Sequence, residues 1–227
     1  MKYGKIQKAR FISRPNRFVA LVSIGGSETA VHVKNTGRCR ELLTEGAEVW
    51  LEKSSNPDRK YQYSLVTVKK GDRMVNMDSQ APNKAVGEWL SAEGGPFTDV
   101  KLIKPECKYG KSRFDFYVEY ADKKAFIEVK GVTLENDGAV SFPDAPTERG
   151  SKHLRELCGC IREGYEAYVI FVIQMKGVLY FTANSCHDPV FARTLSQAYN
   201  EGVKILAYDC LVTEDEIKIG NSVEVKI

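Results

Sequence analysis

Two acidic residues and one lysine occupy neighbouring stretches in which apolar and polar residues alternate. Asp115 lies within Ser112 to Tyr120, and Glu128 and Lys130 lie within Lys124 to Lys130. Side chains two residues apart on a β-strand share one face, so Glu128 and Lys130 are expected side by side. Two carboxylates beside an ammonium group are the components of a divalent-metal site for phosphoryl transfer, with the carboxylates as ligands and the lysine as the catalytic cation.

The two stretches predict an antiparallel hairpin with its turn at Ala121 to Lys124. In that register Tyr120 pairs with Ala125. Asp115 and Glu128 become diagonal neighbours whose backbones lie about 7–8 Å apart. We therefore predict that both carboxylates bind one Mg²⁺ or Mn²⁺ ion. The alternative is the solvated polar face of an ordinary amphipathic hairpin, which produces the same alternation.

A polar segment leads into a predicted helix at Glu148 to Arg162. Its amphipathic stripe leaves polar residues near the helix start, where free backbone amides favour anions. We predict that four of these residues contact a nucleic-acid backbone: Thr147, Arg149, Lys152 and His153. The alternative is a solvated helix end, with Thr147 as the N-cap and an ion pair between Glu148 and Lys152.

The first eighty residues contain short runs of β-branched and aromatic residues between turn-forming residues. The runs are Phe18 to Val22, Ala30 to Val33, Glu48 to Glu52 and Tyr63 to Val68, with a brief helical candidate at Arg38 to Leu43. This pattern predicts a small β-barrel of the OB type. Cationic residues interleaved with aromatic ones are typical of nucleic-acid-binding barrels, although buried aromatic residues give the same pattern. The predicted DNA-binding residues are Arg14, Arg17, Asn35 and Arg38.

The charges divide unevenly along the chain. The net charge of the whole chain is +3, but residues 1 to 78 hold fifteen Lys and Arg against eight Asp and Glu, a net of +7 that leaves −4 for the remainder. A cationic half joined to a mildly acidic half is typical of a phosphate-binding module attached to a cation-binding site. Chance asymmetry on a solvated surface is the alternative.

A polar, proline-containing segment at Met77 to Asn83 predicts a domain junction. We place a DNA-binding barrel at residues 1–80 and a second domain at residues 81–227. After the junction we expect a helix at Asn83 to Ala92, then alternating strands and helices that include a fully buried strand at Tyr168 to Ile173. This order predicts a mixed α/β sheet with a right-handed crossover.

Several of these segments together resemble the sugar fermentation stimulation protein family over nearly the full chain. The matching stretches are Arg14 to Phe18, His32 to Arg38, Glu41 to Leu43, Lys108 to Gly110, Arg113 to Phe116, Glu128 to Leu134, Phe142 to Gly150 and Lys152 to Leu157. The resemblance implies an N-terminal OB-like β-barrel followed by a mixed-sheet α/β domain similar to PD-(D/E)XK nucleases. It also implies DNA binding and an association with the regulation of sugar utilisation, maltose in particular.

The nuclease pattern assigns residues to the core of the implied site. The core positions are taken by Asp115, Glu128 and Lys130. The resemblance also implies an additional acidic metal ligand, for which Glu88 on the preceding helix is the candidate and Glu106 the competitor. The proline that names the motif is absent, because Phe114 stands before Asp115, but this exchange leaves the metal chemistry untouched. A nuclease-type fold does not by itself establish nuclease activity.

Composition excludes some classes of protein. No apolar run approaches the length that spans a membrane, and the first ten residues lack the apolar core of a secretion signal. The six cysteines lack the paired spacing of a structural zinc site and are expected to be reduced thiols. We therefore expect a cytoplasmic protein that does not associate with a membrane.

Three functions agree with the sequence. The first is a DNA-binding protein that retains a metal-dependent phosphodiesterase site. The second is a non-catalytic DNA-binding regulator that keeps the nuclease scaffold for binding, and the third is a barrel that binds a small ligand or a protein. Single- and double-stranded DNA fit the first two equally, and no oligomeric state is predicted.

Overall fold

A computed structural model describes residues 1–35, 37–110 and 112–227 of the chain. An all-β unit comes first and an α/β unit follows it. The order of the two units agrees with the architecture predicted from the sequence.

The N-terminal unit is a closed barrel. Its strands are β1 (Ile6–Asn16), β2 (Val19–Ile24), β3 (Ser27–Val33), β4 (Glu48–Lys53) and β5 (Tyr63–Lys70). They follow the order β3-β2-β1-β4-β5, and a parallel pairing of Val33 with Leu65 closes the ring. Alternate residues such as Val22 and Val31 point into a fully buried interior. The predicted OB-type barrel is confirmed.

The segment Arg38 to Leu43 forms turns in place of the brief helix expected there. Cys39 has a φ of 46°. A positive φ is unfavourable for a non-glycine residue and incompatible with a right-handed helix, so the segment cannot continue as one.

Beyond the barrel the chain alternates between strands and helices. Strand β6 (Arg73–Asn76) still belongs to the barrel sheet, where it pairs with β5. The elements that follow are α1 (Ala81–Leu90), β7 (Val100–Tyr109), β8 (Ser112–Tyr120), β9 (Lys123–Val132), β10 (Glu135–Asn136), β11 (Ala139–Phe142), α2 (Glu148–Arg162), β12 (Glu166–Ile173), β13 (Tyr180–Ala183), α3 (Pro189–Asn200), β14 (Lys204–Val212), β15 (Ile217–Ser222) and β16 (Glu224–Lys226). Helix α1 begins earlier than predicted because Pro82, which lacks an amide hydrogen, is well suited to a first helical turn.

The main sheet of the second unit has the order β15-β14-β12-β9-β8-β7. Strands β9, β12 and β14 are parallel to one another, whereas β7, β8 and β15 pair with their neighbours in the antiparallel sense. A smaller sheet has the order β10-β11-β13-β16. The mixed α/β sheet predicted from the sequence is confirmed.

Helices cover both faces of the main sheet. Along β12, Val169 and Phe171 belong to the hydrophobic cluster of α2 and α3, whereas Ile170 and Val172 belong to the cluster of α1. Burial on both faces accounts for the uninterrupted apolar sequence of this strand. Within the described part of the chain, no helix combines the length and the apolarity needed to cross a membrane.

The barrel and the α/β unit share one continuous hydrophobic cluster. Val75 and Met77, at the end of the barrel, pack in the same cluster as residues of α2 and β12. Glu135 of β10 adds ion pairs with Lys70 at 2.7 Å and with Arg73 at 3.0 Å. Apolar packing and ion pairs therefore hold the two units together at this contact.

Gly131, near the end of β9, lies against the segment that joins the two units. A Cβ atom at Gly131 would lie 2.6 Å from Oε1 of Gln174 and 2.8 Å from Cγ of Pro82, which only glycine avoids. The amide group of Gln174 donates to the carbonyl oxygens of Asn76 and Asp78 at 3.2 and 3.1 Å. The end of β9 is thus packed directly against the segment that joins the two units.

Candidate metal centre and nucleic-acid interface

The hairpin between β8 and β9 turns more tightly than the sequence predicts. Tyr120 pairs with Lys123 across a two-residue turn, and not with Ala125. The predicted register was therefore wrong. Continuing the observed register puts Asp115 directly opposite Glu128 instead of diagonal to it. We refer to these two residues as the acid pair.

Asp115 lies where β8 and β9 separate. The backbone pairing runs from Tyr120 to Phe116, and the side chain of Asp115 replaces it at the next position. Its Oδ2 accepts a hydrogen bond from the backbone amide of Val129 at 2.7 Å, and its Oδ1 accepts one from the side chain of Asn83 at 2.6 Å. The carboxylate is thus fixed by a main-chain donor of β9 and by α1.

The side chains of β8 before and after Asp115 point to opposite faces of the sheet. Phe114 packs edge-on against His153 of α2, whereas Phe116 belongs to the cluster on the α1 side. Residues two apart in a regular strand share a face, so β8 departs from a regular strand between Phe114 and Phe116. This local rotation turns Asp115 towards β9, within the plane of the sheet.

Glu128 is the more buried member of the acid pair, with 4% of its surface exposed. Its Oε1 accepts hydrogen bonds from Nζ of Lys130, at 2.5 Å, and from Nδ1 of His153. Its Oε2 is buried and, among the described residues, has no hydrogen-bond partner. Leaving a buried carboxylate oxygen unpaired is unfavourable, so Oε2 is the atom best suited to bind an added cation.

The negative charge of Glu128 acts on Asp115. Burial raises the pKa of Asp115, and the negative charge of Glu128 raises it further. Burial also acts to raise the pKa of Glu128, but the hydrogen bond from His153 and the charge of Lys130 outweigh it and lower that pKa. Since neighbouring carboxylates repel each other, a cation between them is favoured.

His153 is buried in the site, which corrects its predicted role as a surface contact for DNA. Only 5% of its surface is exposed, and its ring lies against Glu128. The buried face of α2 also includes Gly150 and Ser151, so it is wider than the predicted stripe of apolar residues. On the opposite side of the ring, Nε2 accepts a hydrogen bond from Nε of Arg149 at 3.5 Å.

Glu88 lies apart from the acid pair. Its carboxylate pairs with the ammonium group of Met1 at 2.6 Å, and 62% of its side chain is exposed. Its competitor Glu106 pairs with Arg113 on the exposed surface at 2.8 Å. The structure therefore does not bring either predicted additional acid to the site.

Helix α1 contributes Asn83 to the site instead. This residue was predicted only to begin the helix and was assigned no role, because an amide carries no charge. Its contact with Asp115 depends on the packing of α1 against the sheet. The proline at the helix start is the one signal that would have positioned it in the first turn.

The donor set of the acid pair fits Mg²⁺ or Mn²⁺. These ions prefer oxygen ligands, and a carboxylate oxygen that accepts one hydrogen bond still has a lone pair for a metal. In residues 1–35, 37–110 and 112–227, no cluster of three or more His, Cys, Asp and Glu side chains is placed to hold a metal. A site built on two carboxylates leaves its other positions to water and phosphate, as in phosphoryl-transfer enzymes.

Arg14 organises the barrel surface, which corrects its predicted role as a phosphate contact. Its two Nη atoms donate at 2.6–2.8 Å to the backbone carbonyl oxygens of Arg17, Asn35, Gly37 and Arg38. Asn35 is likewise structural, because its side chain accepts from the amide of Gly37 at 2.8 Å and donates to the carbonyl of Met77 at 3.1 Å. Both side chains shape the loop that follows β3.

Arg17 and Arg38 are exposed and line one groove. This barrel groove has a volume of about 390 Å³ and is lined by Phe11, Arg14, Asn16, Arg17, Gly37, Arg38, Arg40 and Leu43. Phe18, next to Arg17 in the chain, is 55% exposed. Cationic side chains beside an exposed aromatic ring are suited to a nucleic-acid strand.

A second groove lies at the start of α2. This helix groove has a volume of about 660 Å³ and is lined by Pro146, Thr147, Glu148, Arg149, Ser151, Lys152, Arg155, Asp188 and Val190. The side chains of Arg149, Lys152 and Arg155 are exposed in it. Their positive charge lies at the helix end that attracts anions.

Thr147 serves as the N-cap of α2, which was the alternative considered for it. Its hydroxyl oxygen accepts a hydrogen bond from the amide of Gly150 at 3.0 Å. Lys152 pairs with Glu156 at 3.7 Å and not with Glu148 as that alternative proposed. Capping occupies the hydroxyl oxygen of Thr147, whereas Lys152 keeps more than half of its side chain exposed.

Gly37 brings the barrel loop close to the segment that precedes α2. A Cβ atom at this position would collide with the carboxylate of Asp144, so a larger residue here would displace that exposed side chain. Gly37 lines the barrel groove, and Asp144 lies two residues before the helix groove begins at Pro146. The barrel groove and the segment leading into the helix groove therefore meet at the contact of Gly37 with Asp144.

Comparison with known proteins identifies both units. Residues 12–77 match the SfsA N-terminal OB domain, and residues 80–216 match the sugar fermentation stimulation protein RE domain. A sugar fermentation stimulation protein homolog of Clostridium beijerinckii is 61% identical over 225 residues, which is 99% of each chain. The homolog of Desulfitobacterium hafniense is 55% identical over 227 residues, covering 100% of this chain and 99% of the relative.

A solved structure shares the whole fold. It is described as Pyrococcus furiosus SfsA in complex with Ca²⁺, and it matches with a TM-score of 0.86 and 27% identity over 100% of this chain and 98% of its own. Both domain models match in order along the chain, and the two homologs match it over nearly their full length. The chain belongs to the sugar fermentation stimulation protein family.

Proposed function

We propose that this chain is a DNA-binding protein whose α/β domain carries a divalent-metal phosphodiesterase site. One observation carries the proposal: the buried Oε2 of Glu128 has no partner among the described residues and lies in a site with Asp115 and Lys130. An acid pair with an unpaired oxygen and an adjacent ammonium group is suited to bind a metal and a phosphate together.

Each residue of the site has a separate task in this proposal. Asp115 and Glu128 hold Mg²⁺ or Mn²⁺, and Asn83 and the Val129 amide keep the Asp115 carboxylate in place. When bound, the ion supplies an activated water and positive charge against the scissile phosphate. Lys130 places its ammonium beside Glu128, where it orients the attacking water or stabilises negative charge on the phosphate.

The two grooves provide the surface for the DNA strand. Arg17 and Arg38 in the barrel groove and Arg149 and Lys152 in the helix groove contact phosphates along a path over the junction. The net charge of +7 on residues 1–78 draws the strand to the barrel. The family name refers to sugar fermentation. We include the regulation of sugar utilisation, maltose in particular, in the proposal.

The support for a metal includes a relative. The solved structure of Pyrococcus furiosus SfsA is a complex with Ca²⁺. Calcium and magnesium both take carboxylate oxygens as ligands, although calcium binds at longer distances with more ligands. The acid pair of this chain offers ligands of that type.

A second candidate function is a non-catalytic DNA-binding regulator. Both oxygens of Asp115 already accept hydrogen bonds, and Lys130 and His153 already hold Oε1 of Glu128. Three of the four carboxylate oxygens of the acid pair are thus hydrogen-bonded without a metal, which favours a scaffold retained for binding alone.

One experiment separates the two functions. Purified protein is incubated with single- and double-stranded DNA in Mg²⁺ or Mn²⁺, next to its Asp115→Ala and Lys130→Ala variants. Lys124→Ala is the matched control, because Lys124 is an exposed lysine on the same strand, 3.9 Å from Glu119. Cleavage that both site variants abolish and the control retains supports catalysis. DNA binding without cleavage by the wild-type protein supports the regulator and rejects the phosphodiesterase.

A further inference from the structure

A chain of contacts runs from the helix groove to the acid pair. Arg149 is exposed in the groove, and its Nε lies 3.5 Å from Nε2 of His153. Nδ1 of the same ring contacts Oε1 of Glu128. His153 is 5% exposed and Glu128 4%, so the ring forms a buried bridge between a surface cation and a buried acid.

The directions of these hydrogen bonds are fixed by chemistry. The Nε–H of an arginine can only donate, so Nε2 of His153 is the acceptor. A neutral imidazole that accepts at Nε2 carries its proton on Nδ1, and this proton is donated to Glu128. Oε1 is therefore held by the ring, and Oε2 is left with no partner among the described residues.

We infer that Arg149 and His153 are positioning residues that couple nucleic-acid binding to metal binding. The inference rests on the proposed function, since it requires that the acid pair binds a divalent metal and that the helix groove binds a phosphate. It goes further by stating that each ligand increases the affinity for the other. Neither Arg149 nor His153 contacts the metal in this inference.

The guanidinium of Arg149 can serve both contacts at once. Arginine has five N–H donors, and the contact with His153 uses the one on Nε. The four Nη–H donors remain for a phosphate in the groove, in the forked geometry that suits phosphate oxygens. A phosphate bound there immobilises the guanidinium, the guanidinium then restrains His153, and the ring restrains Glu128 with Oε2 free for a metal.

The coupling arises because the metal and the DNA phosphate both bind to the ordered conformation of the same side chains. The first ligand to bind restricts the rotamers of Arg149, His153 and Glu128. Binding of the second ligand then costs less conformational entropy, so its affinity is higher. Coupling free energies between sites usually correspond to factors of about 5 to 150. Because the contacts here are direct, we expect the affinity for metal to rise by about fivefold or more when DNA is bound.

The test measures metal affinity in place of cleavage. Calcium affinity of the full-length protein is determined by isothermal titration calorimetry, first alone and then with a saturating DNA oligonucleotide that carries non-cleavable phosphorothioate linkages. The wild-type protein is expected to bind Ca²⁺ about fivefold or more tightly with DNA present. By linkage, the affinity for DNA should rise by the same factor when Ca²⁺ is present.

One variant breaks the bridge at its surface end, and a second variant serves as its control. In Arg149→Gln the DNA effect on Ca²⁺ affinity is expected to fall to a factor near one. Arg155→Gln removes an equal charge from the same groove, so it weakens DNA binding but keeps the coupling once DNA saturates the protein. Thermal unfolding of each variant confirms that it is folded.

Substitution of the histidine distinguishes positioning from simple packing. His153→Asn places an amide donor near the position of Nδ1 but has no counterpart of Nε2. It is expected to keep Ca²⁺ affinity without DNA within about threefold and to lose the coupling, whereas His153→Ala loses both. If His153→Asn retained the coupling, the bridge through Nε2 would be rejected.

The outcomes separate this inference from the proposed function. Binding of both ligands to the wild-type protein with no mutual effect overturns the coupling alone, as does coupling that survives Arg149→Gln. Absence of Ca²⁺ binding, with and without DNA, overturns the metal site and the coupling together.

Discussion

Asp115 accepts a hydrogen bond from the backbone amide of Val129, with 2.7 Å between Oδ2 and the amide nitrogen. In a regular antiparallel pair this amide would bind a backbone carbonyl of the facing strand. Here the side chain takes the place of that carbonyl, and β8 and β9 separate beyond Phe116. The position of the acid is thus set by the main chain of the strand that carries Glu128.

Replacing Asp115 with asparagine should stabilise the metal-free protein. The introduced amide oxygen would still accept from the Val129 amide, and Asn83 can turn its own amide to accept from the new side chain. The substitution removes a buried charge that is also repelled by Glu128; burial raises the pKa of Asp115 and the charge of Glu128 raises it further. We expect Asp115→Asn to gain about 1 kcal/mol, or about 2–4 °C in the melting temperature measured by calorimetry.

The same variant should lose its thermal response to a metal. Addition of Mn²⁺ raises the melting temperature of the wild-type protein by mass action and leaves that of Asp115→Asn almost unchanged. Asp122→Asn is the control, because Asp122 is fully exposed in the hairpin turn and should differ from wild type by less than about 0.5 kcal/mol. A lower melting temperature of metal-free Asp115→Asn would argue against repulsion within the acid pair.

Arg14→Lys should destabilise the barrel by about 2 kcal/mol. The four Nη–H donors of Arg14 satisfy four backbone carbonyl oxygens, and a lysine ammonium has only three donors on a narrower group. Arg17→Lys is the matched control, since Arg17 is exposed and its exchange should change stability by less than about 0.5 kcal/mol. Urea unfolding of the two variants measures the difference, and equal stabilities would refute the structural role of Arg14.

Local periodicity was enough to place the acid pair on its strands. Strand β8 was predicted with its observed bounds because alternation of apolar and polar residues continues from Ser112 to Tyr120. Strand β12 was recognised from a different signal, the uninterrupted apolar run of a strand that is buried on both faces. In contrast, the alternation of β1 is obscured by its lysines and arginines, and that strand was not predicted.

The register and the histidine depend on information that periodicity does not contain. The length of a hairpin turn sets which residues face each other, and a two-residue turn differs from a four-residue turn without any change in alternation. His153 is buried because Glu128, 25 residues earlier in the chain, accepts its hydrogen bond. The pattern of apolar residues along a helix carries no information about a polar partner on another element.

The basic residues of the barrel illustrate the same limit. Arg14 and Arg17 look equivalent in the sequence, since both are cations near aromatic residues. The structure separates them, because the carbonyl partners of Arg14 converge only when the loop after β3 folds back on β1. Charge in a sequence therefore predicts a basic surface but does not predict which cation is free.

Glu135 should make the stability of the protein dependent on acid pH. Burial alone would raise the pKa of Glu135, but hydrogen bonds from Lys70, from the Gly138 amide and from Arg73 lower it from its usual 4.5 to about 2. A carboxyl with a depressed folded-state pKa stabilises the protein above the unfolded pKa. This contribution is fully present above pH 4.5 and is lost as the pH falls towards 2.

The variant Glu135→Gln isolates this contribution. At pH 7 it should be less stable than wild type by about 2 kcal/mol, because Lys70 and Arg73 lose their partner while remaining partly exposed. Thermal unfolding at a series of pH values should show the difference shrink between pH 4.5 and 2. Glu201→Gln, at an exposed ion pair with Arg162, is the control and should show a difference below about 0.5 kcal/mol throughout. A constant difference for Glu135→Gln would exclude the ion pairs as its cause.

Arg17 and Arg38 should each contribute to the salt dependence of DNA binding. A cation that contacts a phosphate releases about one counterion, so its removal flattens the plot of log affinity against log salt by about one unit. We expect Arg17→Gln and Arg38→Gln each to reduce the slope by about that amount, measured by fluorescence anisotropy between about 50 and 200 mM salt.

The matched control for these substitutions is Arg162→Gln. Arg162 is exposed at the far end of α2, where it pairs with Glu201 at 2.6 Å, and it lines neither groove. Because a phosphate contact and a distant surface charge alter the slope differently, Arg162→Gln should leave it unchanged. If all three variants flattened the slope equally, binding would follow net charge alone, and the barrel groove would lose its assignment as the path of the DNA strand.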